Sequence, residues 1–218
     1  MSHSEEPAFN APPVTLFLVA SIIVSHILLT VADQETINWI YGALAFDVGQ
    51  VERLLNGAAG ASLIQFLVTL NTHMILHHDF MHMLVNAFML LAFGSMVERT
   101  FGPVRFVIVF LVAGWVGAIL EALVSMPVTE PSLLYGASGG VFGTMGVTTL
   151  LMLPKFGLRG VVSFAAVLMG VNLVIGLTPL GALLAGEGAT ISWAAHVGGY
   201  VTGLLFAIWF LSRLARRP

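Results

Sequence analysis

Four side chains stand out because they sit in stretches that disfavour polar groups. His82 and Asn86 lie at i and i+4 in an apolar run, a spacing that places both on one face of a helix. Ser138 sits inside Tyr135-Gly136-Ala137-Ser138-Gly139-Gly140, and His196 inside Trp193-Ala194-Ala195-His196-Val197-Gly198-Gly199. Polar groups in hydrocarbon are expensive and call for an explanation. A hydroxyl beside an imidazole base is the minimum for nucleophilic catalysis. A helix beginning after Gly136 would offer free backbone N–H groups where a tetrahedral oxyanion develops, and His82 and Asn86 would add side-chain donors. This chemistry is acyl transfer by a serine hydrolase. Taken singly, each residue has a structural alternative. A membrane-helix serine commonly bonds its own i−4 carbonyl, a lone histidine such as His26 packs, and Glu121 pairs with a neighbouring helix or reaches the interface.

The elements that position these residues follow from composition. Of 218 residues, 58% are hydrophobic and 9% charged, against about 25% charged in an ordinary soluble domain, so the bilayer is the expected solvent. A formal net charge of -3 with no dense basic patch disfavours nucleic acid as a partner. The absence of Cys excludes disulfides, thiolate metal sites and cysteine nucleophiles. Six apolar stretches are marked, at about 14–31, 80–97, 104–124, 134–153, 161–180 and 191–211, each near the roughly 20 residues that cross a bilayer. Unpaired backbone is costly in lipid, and strand-like alternation is missing. The expected fold class is therefore an all-α polytopic membrane protein, a six-transmembrane-helix bundle with a long first external loop.

Residues 1–13 are expected as a short cytoplasmic tail and 213–218 as a basic one. The acidic Ser4-Glu5-Glu6 flank is unlike a signal peptide, so the first segment is expected to be retained. With six spans, Arg99, Arg105, Lys155, Arg159, Arg213, Arg216 and Arg217 fall on one side and only Arg53 on the other. The positive-inside rule then puts both termini in the cytoplasm. The first external loop, about Ala32 to Thr72, mixes charged and apolar residues and suits short amphipathic pieces at the interface. The fifth loop, Gly181 to Gly188, is Gly-rich.

Segments two, four and six all begin on the external side. Ser138 is expected about one turn inside its helix, and His82 and His196 one to two turns inside theirs, so three helices deliver their polar groups to one shallow layer. Gly136 and Gly140, Gly139 and Gly143, and Ala195, Gly199 and Gly203 form small-xxx-small faces that permit close backbone approach. A tight pairing of segments four and six would bring Ser138 beside His196.

These motifs together resemble the rhomboid family of intramembrane serine proteases. His77-His78-Asp79-Phe80-Met81-His82-Met83-Leu84-Val85-Asn86 resembles the family's HisxxxAsn helix, Gly136-Ala137-Ser138-Gly139 its GxSG motif, and Ala195-His196-Val197-Gly198-Gly199 with Gly203 its sixth-helix pattern. Glu98-Arg99 and Phe101-Gly102 also look familiar, and the similarity runs from about His73 to Phe206. GxSG alone is weak; the three motifs in order are specific. The resemblance implies Ser138 as nucleophile and His196 as general base of a two-residue dyad. It implies His82, Asn86 and the Ser138 backbone N–H as the oxyanion hole. It further implies Phe142 as the aromatic ring against the catalytic histidine, Gly136 as the glycine two before the serine, and His77 as a structural or water-handling histidine. The implied partners are transmembrane protein substrates and membrane lipid, with no metal or organic cofactor, and the default location is a bacterial plasma membrane. Substrate access is implied between helices two and five, where Leu168, Val171 and Asn172 are candidates; Asn172 is the only amide of the fifth segment. One departure is that Val68 and Thr69 occupy the positions of a Trp-Arg pair found in many relatives.

The same residues also admit other classes. A catalytically silent, client-binding relative would usually lack the serine or the histidine, and both are present here. His73 and His77, and His78 and His82, have helical ligand spacing, so a metal or haem membrane protein is an alternative, with His26 and His196 as further histidines. No HExxH occurs. A small transporter would suit the Gly-interrupted segments, but no convincing internal repeat is present.

Overall fold

A computed structural model describes residues 11–178, 180 and 191–214. The expected tails at residues 1–13 and 213–218 and the fifth loop therefore lie largely outside the described residues. Among the described residues the fold is all-α apart from one short antiparallel pair. Among the described residues, five helices are long and apolar enough to cross a membrane: α1 (Pro13–Thr30), α5 (Phe80–Phe101), α6 (Pro103–Val124), α8 (Leu153–Leu177) and α9, which runs Trp193–Leu214. Between them lie α2 (Gln34–Leu44), α3 (Gln50–Asn56), α4 (Leu63–Thr72) and α7 (Ser138–Leu151). The strands are β1 (Phe46–Asp47) and β2 (Leu133–Leu134), with Phe46 opposite Leu134.

α7 is the centre of the bundle. It has 14 residues, and from Gly139 to Thr149 every residue except Phe142 is buried. Its sequence explains the position: glycines recur at Gly139, Gly140, Gly143 and Gly146, so neighbouring backbones can come close. A Cβ added at Gly199 would strike the Gly139 carbonyl oxygen, one at Gly203 the Gly143 carbonyl oxygen, and one at Gly146 the Tyr200 carbonyl oxygen. The α7–α9 contact is thus backbone against backbone. α6 joins the same cluster, since a Cβ at Gly117 would lie 2.6 Å from the Ala195 carbonyl oxygen and one at Gly140 would lie 2.7 Å from the Phe110 ring.

The outer helices turn apolar side chains outward. Phe17, Val24, Leu28, Val85, Phe88, Val167, Val174 and Leu205 are all exposed, as lipid-facing positions must be. α1 has little small-residue packing and is held at its N-terminal end by Glu98 of α5. That buried carboxylate accepts from Val14 N–H at 3.2 Å, Thr15 N–H at 2.7 Å and Thr15 Oγ1 at 2.7 Å, satisfying helix-start donors with a charge-assisted acceptor. α5 contains one π turn, Leu90–Gly94.

The first loop is structured, built from α2, α3 and α4. Asp33 caps α2 and Ser62 caps α4, each accepting from a backbone N–H three residues on. The β1–β2 pair ties this loop to the segment just before α7.

Two segments differ from the sequence expectation. The fifth helix begins at Leu153 rather than near Val161, with Pro154 in its first turn and a bend at Gly157, where φ is 67°. The fourth begins at Ser138 rather than near Leu134. Leu133 and Leu134 pair with β1, and Gly136 adopts φ 124°, a conformation no helix contains and one that favours glycine.

Candidate active site

The structure places the sequence-derived residues at one end of the bundle, in the first turns of three helices. Ser138 is the first residue of α7, His82 the third of α5 and His196 the fourth of α9. Ser138, expected about one turn inside its helix, is its first residue, and His82, expected one to two turns inside, is the third; His196 lies about one turn inside its helix. Because α7 opens at Ser138, its leading N–H groups have no intrahelical acceptor; Val141 N–H is the first to have one, the Ala137 carbonyl at 2.9 Å.

Ser138 and His82 meet around Gly136. A Cβ built on Gly136 would lie 2.9 Å from both Cε1 and Nε2 of His82 and 3.9 Å from Ser138 Oγ. The missing side chain is what lets the imidazole and the hydroxyl share this corner. His82 is oriented through its backbone: Asp79 caps α5 and accepts from His82 N–H at 2.8 Å. Asp79 therefore serves the helix start. Asn86 is buried one turn further along α5 and donates one amide hydrogen to the His82 carbonyl at 2.9 Å. Its second amide hydrogen remains for another acceptor.

His196 lies flat against Phe142, with centroids 4.2 Å apart and planes within 5°. Phe142 is one turn after Ser138 and shares its face of α7. The imidazole is thereby placed along the same α7 face that presents the serine, and the Gly139–Gly199 contact holds the two helices at that separation. Ser138, His82 and His196 each keep part of their surface accessible, while Gly136, Ala137, Gly139 and Asn86 are buried.

The loop carrying Gly136 is suspended from the histidines that precede α5. Gly136 N–H donates to the His73 carbonyl at 2.9 Å, and Ala137 N–H donates to His77 Nε2 at 3.2 Å. His77 Nδ1 faces the Ile75 carbonyl at 3.4 Å, and its ring sits 4.9 Å from that of His82. The His77 carbonyl is itself held by Tyr41 Oη at 3.1 Å and by His26 Nδ1 at 3.2 Å. Accepting at Nε2 requires a neutral ring. Burial agrees, pushing His77 down to about 3, with the neighbouring His82 adding to the effect, and pushing His73 down to about 4. His77 is thus a post between α1, the first loop and the serine turn, and its Nε2 lone pair is already engaged. Among the described residues no group of three or more His, Asp or Glu side chains could hold a metal ion.

Glu121, expected to pair with a neighbouring helix or reach the interface, does the former: it accepts from Ala195 N–H at 3.1 Å and so caps the start of α9 next to His196. One support escapes the sequence reading. Asn172 of α8 faces His196 Nδ1 through Oδ1 at 2.6 Å. An amide alone in an apolar helix was the available signal, but its direction depends on the rotation of α8, which the sequence does not specify.

A family profile for the rhomboid domain matches residues 65–213. The chain is 33% identical over 145 residues to RHOMBOID-like protein 6, mitochondrial, of Arabidopsis thaliana, covering 64% of this chain and 42% of that protein. It is 30% identical over 138 residues to Rhomboid protease GluP of Bacillus subtilis, covering 62% of this chain and 24% of that protein. It is 29% identical over 148 residues to the putative rhomboid protease YdcA of the same organism, covering 67% and 68%. The chain thus spans less than half the length of the first two relatives. The profile match covers well over half of the chain, across the helices that carry Ser138, His82 and His196, and with the apolar helices it identifies a multi-pass membrane protein that belongs to the rhomboid family.

Proposed function

We propose that this chain is an intramembrane serine endopeptidase that hydrolyses peptide bonds in or near transmembrane segments of other membrane proteins. The observation that carries the reading is the convergence at one bundle end of Ser138, His82 at Gly136, and His196 stacked one turn along on Phe142. In this mechanism Ser138 Oγ attacks the scissile carbonyl carbon while His196 Nε2 takes its proton. The oxyanion is received by the Ser138 N–H, the His82 ring N–H and the free amide hydrogen of Asn86. The C–N bond then breaks as His196 returns the proton to the leaving amine. Water, deprotonated by His196, attacks the resulting ester and releases Ser138. No metal or organic cofactor takes part. Phe142 fixes the plane of the base, and Gly136 and His77 hold the serine turn.

The substrate is another transmembrane protein, admitted from the lipid between α5 and α8. Its helix must unwind locally before its backbone can reach Ser138, and Gly, Pro or polar residues near its end lower that cost. The orientation that follows from the basic residues puts the site end of the bundle outside and both termini in the cytoplasm, in a bacterial plasma membrane.

The test is cleavage of single-span substrates by protein reconstituted in liposomes, beside S138A and H196A, with fluorophosphonate labelling. Cleavage lost in both folded variants, with labelling at Ser138, is the expected result. Cleavage that survives in S138A would sink the proposal. Absence of both cleavage and labelling in the unmodified protein would favour a silent client-binding role.

A further inference from the structure

Helix α8 contributes one polar side chain to the bundle interior. Only Val161 and Asn172 are buried on it, and the Asn172 side chain, 5% exposed, spans two groups of α9. Its Nδ2 donates to the Trp193 carbonyl at 3.2 Å, and its Oδ1 lies 2.6 Å from His196 Nδ1. These two contacts fix both ambiguities of the pair. The Trp193 carbonyl can only accept, so the amide nitrogen must face it and Oδ1 must face the imidazole. Oδ1 can only accept, so His196 Nδ1 must carry the proton. Nε2 is then the unprotonated nitrogen.

Resting on the reading that His196 is the base, we propose that Asn172 is a positioning residue for it. Asn172 selects the Nδ1–H tautomer, which leaves the Nε2 lone pair free for the serine proton. The stacking on Phe142 fixes the plane of the ring but still permits a 180° flip about Cβ–Cγ and exchange of tautomers. The amide removes both freedoms, as a third group does for the base of other nucleophile–base pairs. When His196 becomes an imidazolium it keeps the Nδ1–H donor, so the same contact also serves the charged intermediate without rearrangement.

The test reads the tautomer directly. Protein labelled with ¹⁵N-histidine, with H196A to assign the resonances, reports which ring nitrogen of His196 is protonated. The unmodified protein is expected to show Nδ1–H, and N172L a mixture with Nε2–H. Cleavage by folded N172L is expected to fall about 10- to 100-fold in kcat with KM within a few fold. An Nε2–H ring in the unmodified protein would overturn the inference without reference to any variant. So would N172L with unchanged tautomer and kcat. Cleavage that persists in H196A would instead sink the proposed function, leaving the tautomer result to stand separately.

Discussion

Replacing Gly136 by alanine tests the packing at the serine turn most directly. Gly136 has φ 124°, and holding a residue with a Cβ in such a region costs about 1–3 kcal/mol. The new methyl would also sit 2.9 Å from two ring atoms of His82, where carbon contacts prefer about 3.5–4.0 Å. Something must therefore yield by more than about half an ångström. The turn is pinned by Gly136 N–H on the His73 carbonyl and Ala137 N–H on His77 Nε2, whereas the His82 ring is partly exposed. The ring is what moves. Misplacing a reacting group by 1 Å costs about 100-fold, and losing one oxyanion donor costs about 100- to 1000-fold. G136A is thus expected to lose roughly 10- to 100-fold in kcat while most of the protein stays folded. The assay is steady-state cleavage of a reconstituted single-span substrate, run as a double-mutant cycle with H82A. If displacement of the ring is the cause, G136A costs little further activity once the ring is gone. Equal factors with and without His82 would refute the steric argument, and so would normal kcat in G136A.

Three further outcomes are expected. G199V would drive a side chain into the Gly139 carbonyl and pry α9 from α7; it should destabilise by about 1–3 kcal/mol or more, whereas G42A, with nothing within 4 Å, should be neutral or stabilising by about 0.5–1 kcal/mol, both read by denaturation in micelles. E98A strands three donors at the start of α1 and should cost about 3 kcal/mol or more, yet leave the kcat of the folded fraction near normal, since Glu98 lies at the far end of α5 from His82. For pH, His73 and His77 are held near 4 and 3 by burial against about 6.5 when unfolded. The unfolded chain then binds more protons below pH 6.5, so their stabilisation is complete above that pH and is lost on acidification. The slope should be about 1.4 kcal/mol per pH unit for each histidine, and the H77N protein should show a shallower one.

How legible the site was depended on whether local pattern or three-dimensional rotation decided the outcome. The small-residue faces of α7 and α9 could be read because glycine and alanine at four-residue spacing have one dominant use in a membrane. The corner shared by His82, Gly136 and Ser138 followed from motif order and topology. The start of α7 was misplaced by four residues because Leu133 and Leu134 are apolar enough to extend the span, and hydropathy does not register that they pair with Phe46 and Asp47. The early start of α8 was hidden for a related reason: Lys155, Gly157 and Arg159 look like a loop, yet the chain stays helical on both sides of a single bend. The first loop was expected as amphipathic pieces, and α2, α3 and α4 are such pieces. That His73 carries the serine turn on its carbonyl could not be read from spacing, because backbone acceptors leave no mark in a sequence; His77, which the resemblance implied as a structural or water-handling histidine, holds the turn through its ring nitrogen.

The supports of the site divide into two kinds with different stiffness. The separation of α7 from α9 is set by carbonyl oxygens against glycines, contacts with no rotamers to adjust, so the distance between the Ser138 and His196 backbones is nearly a property of the main chain. The orientation of the reactive groups is set otherwise, by single hydrogen bonds from elements outside that pair: His73 and His77 at the serine turn, Asp79 at His82, Glu121 at the start of α9 and Asn172 at His196. A protein in lipid has reason to be built this way. Apolar burial gives no drive to hold helices together in a membrane, so the gross geometry must come from close backbone packing, and the angular precision from polar contacts strengthened by the surrounding low dielectric. Loss of a glycine contact should therefore unfold the site, while loss of one orienting hydrogen bond should leave it assembled and slow.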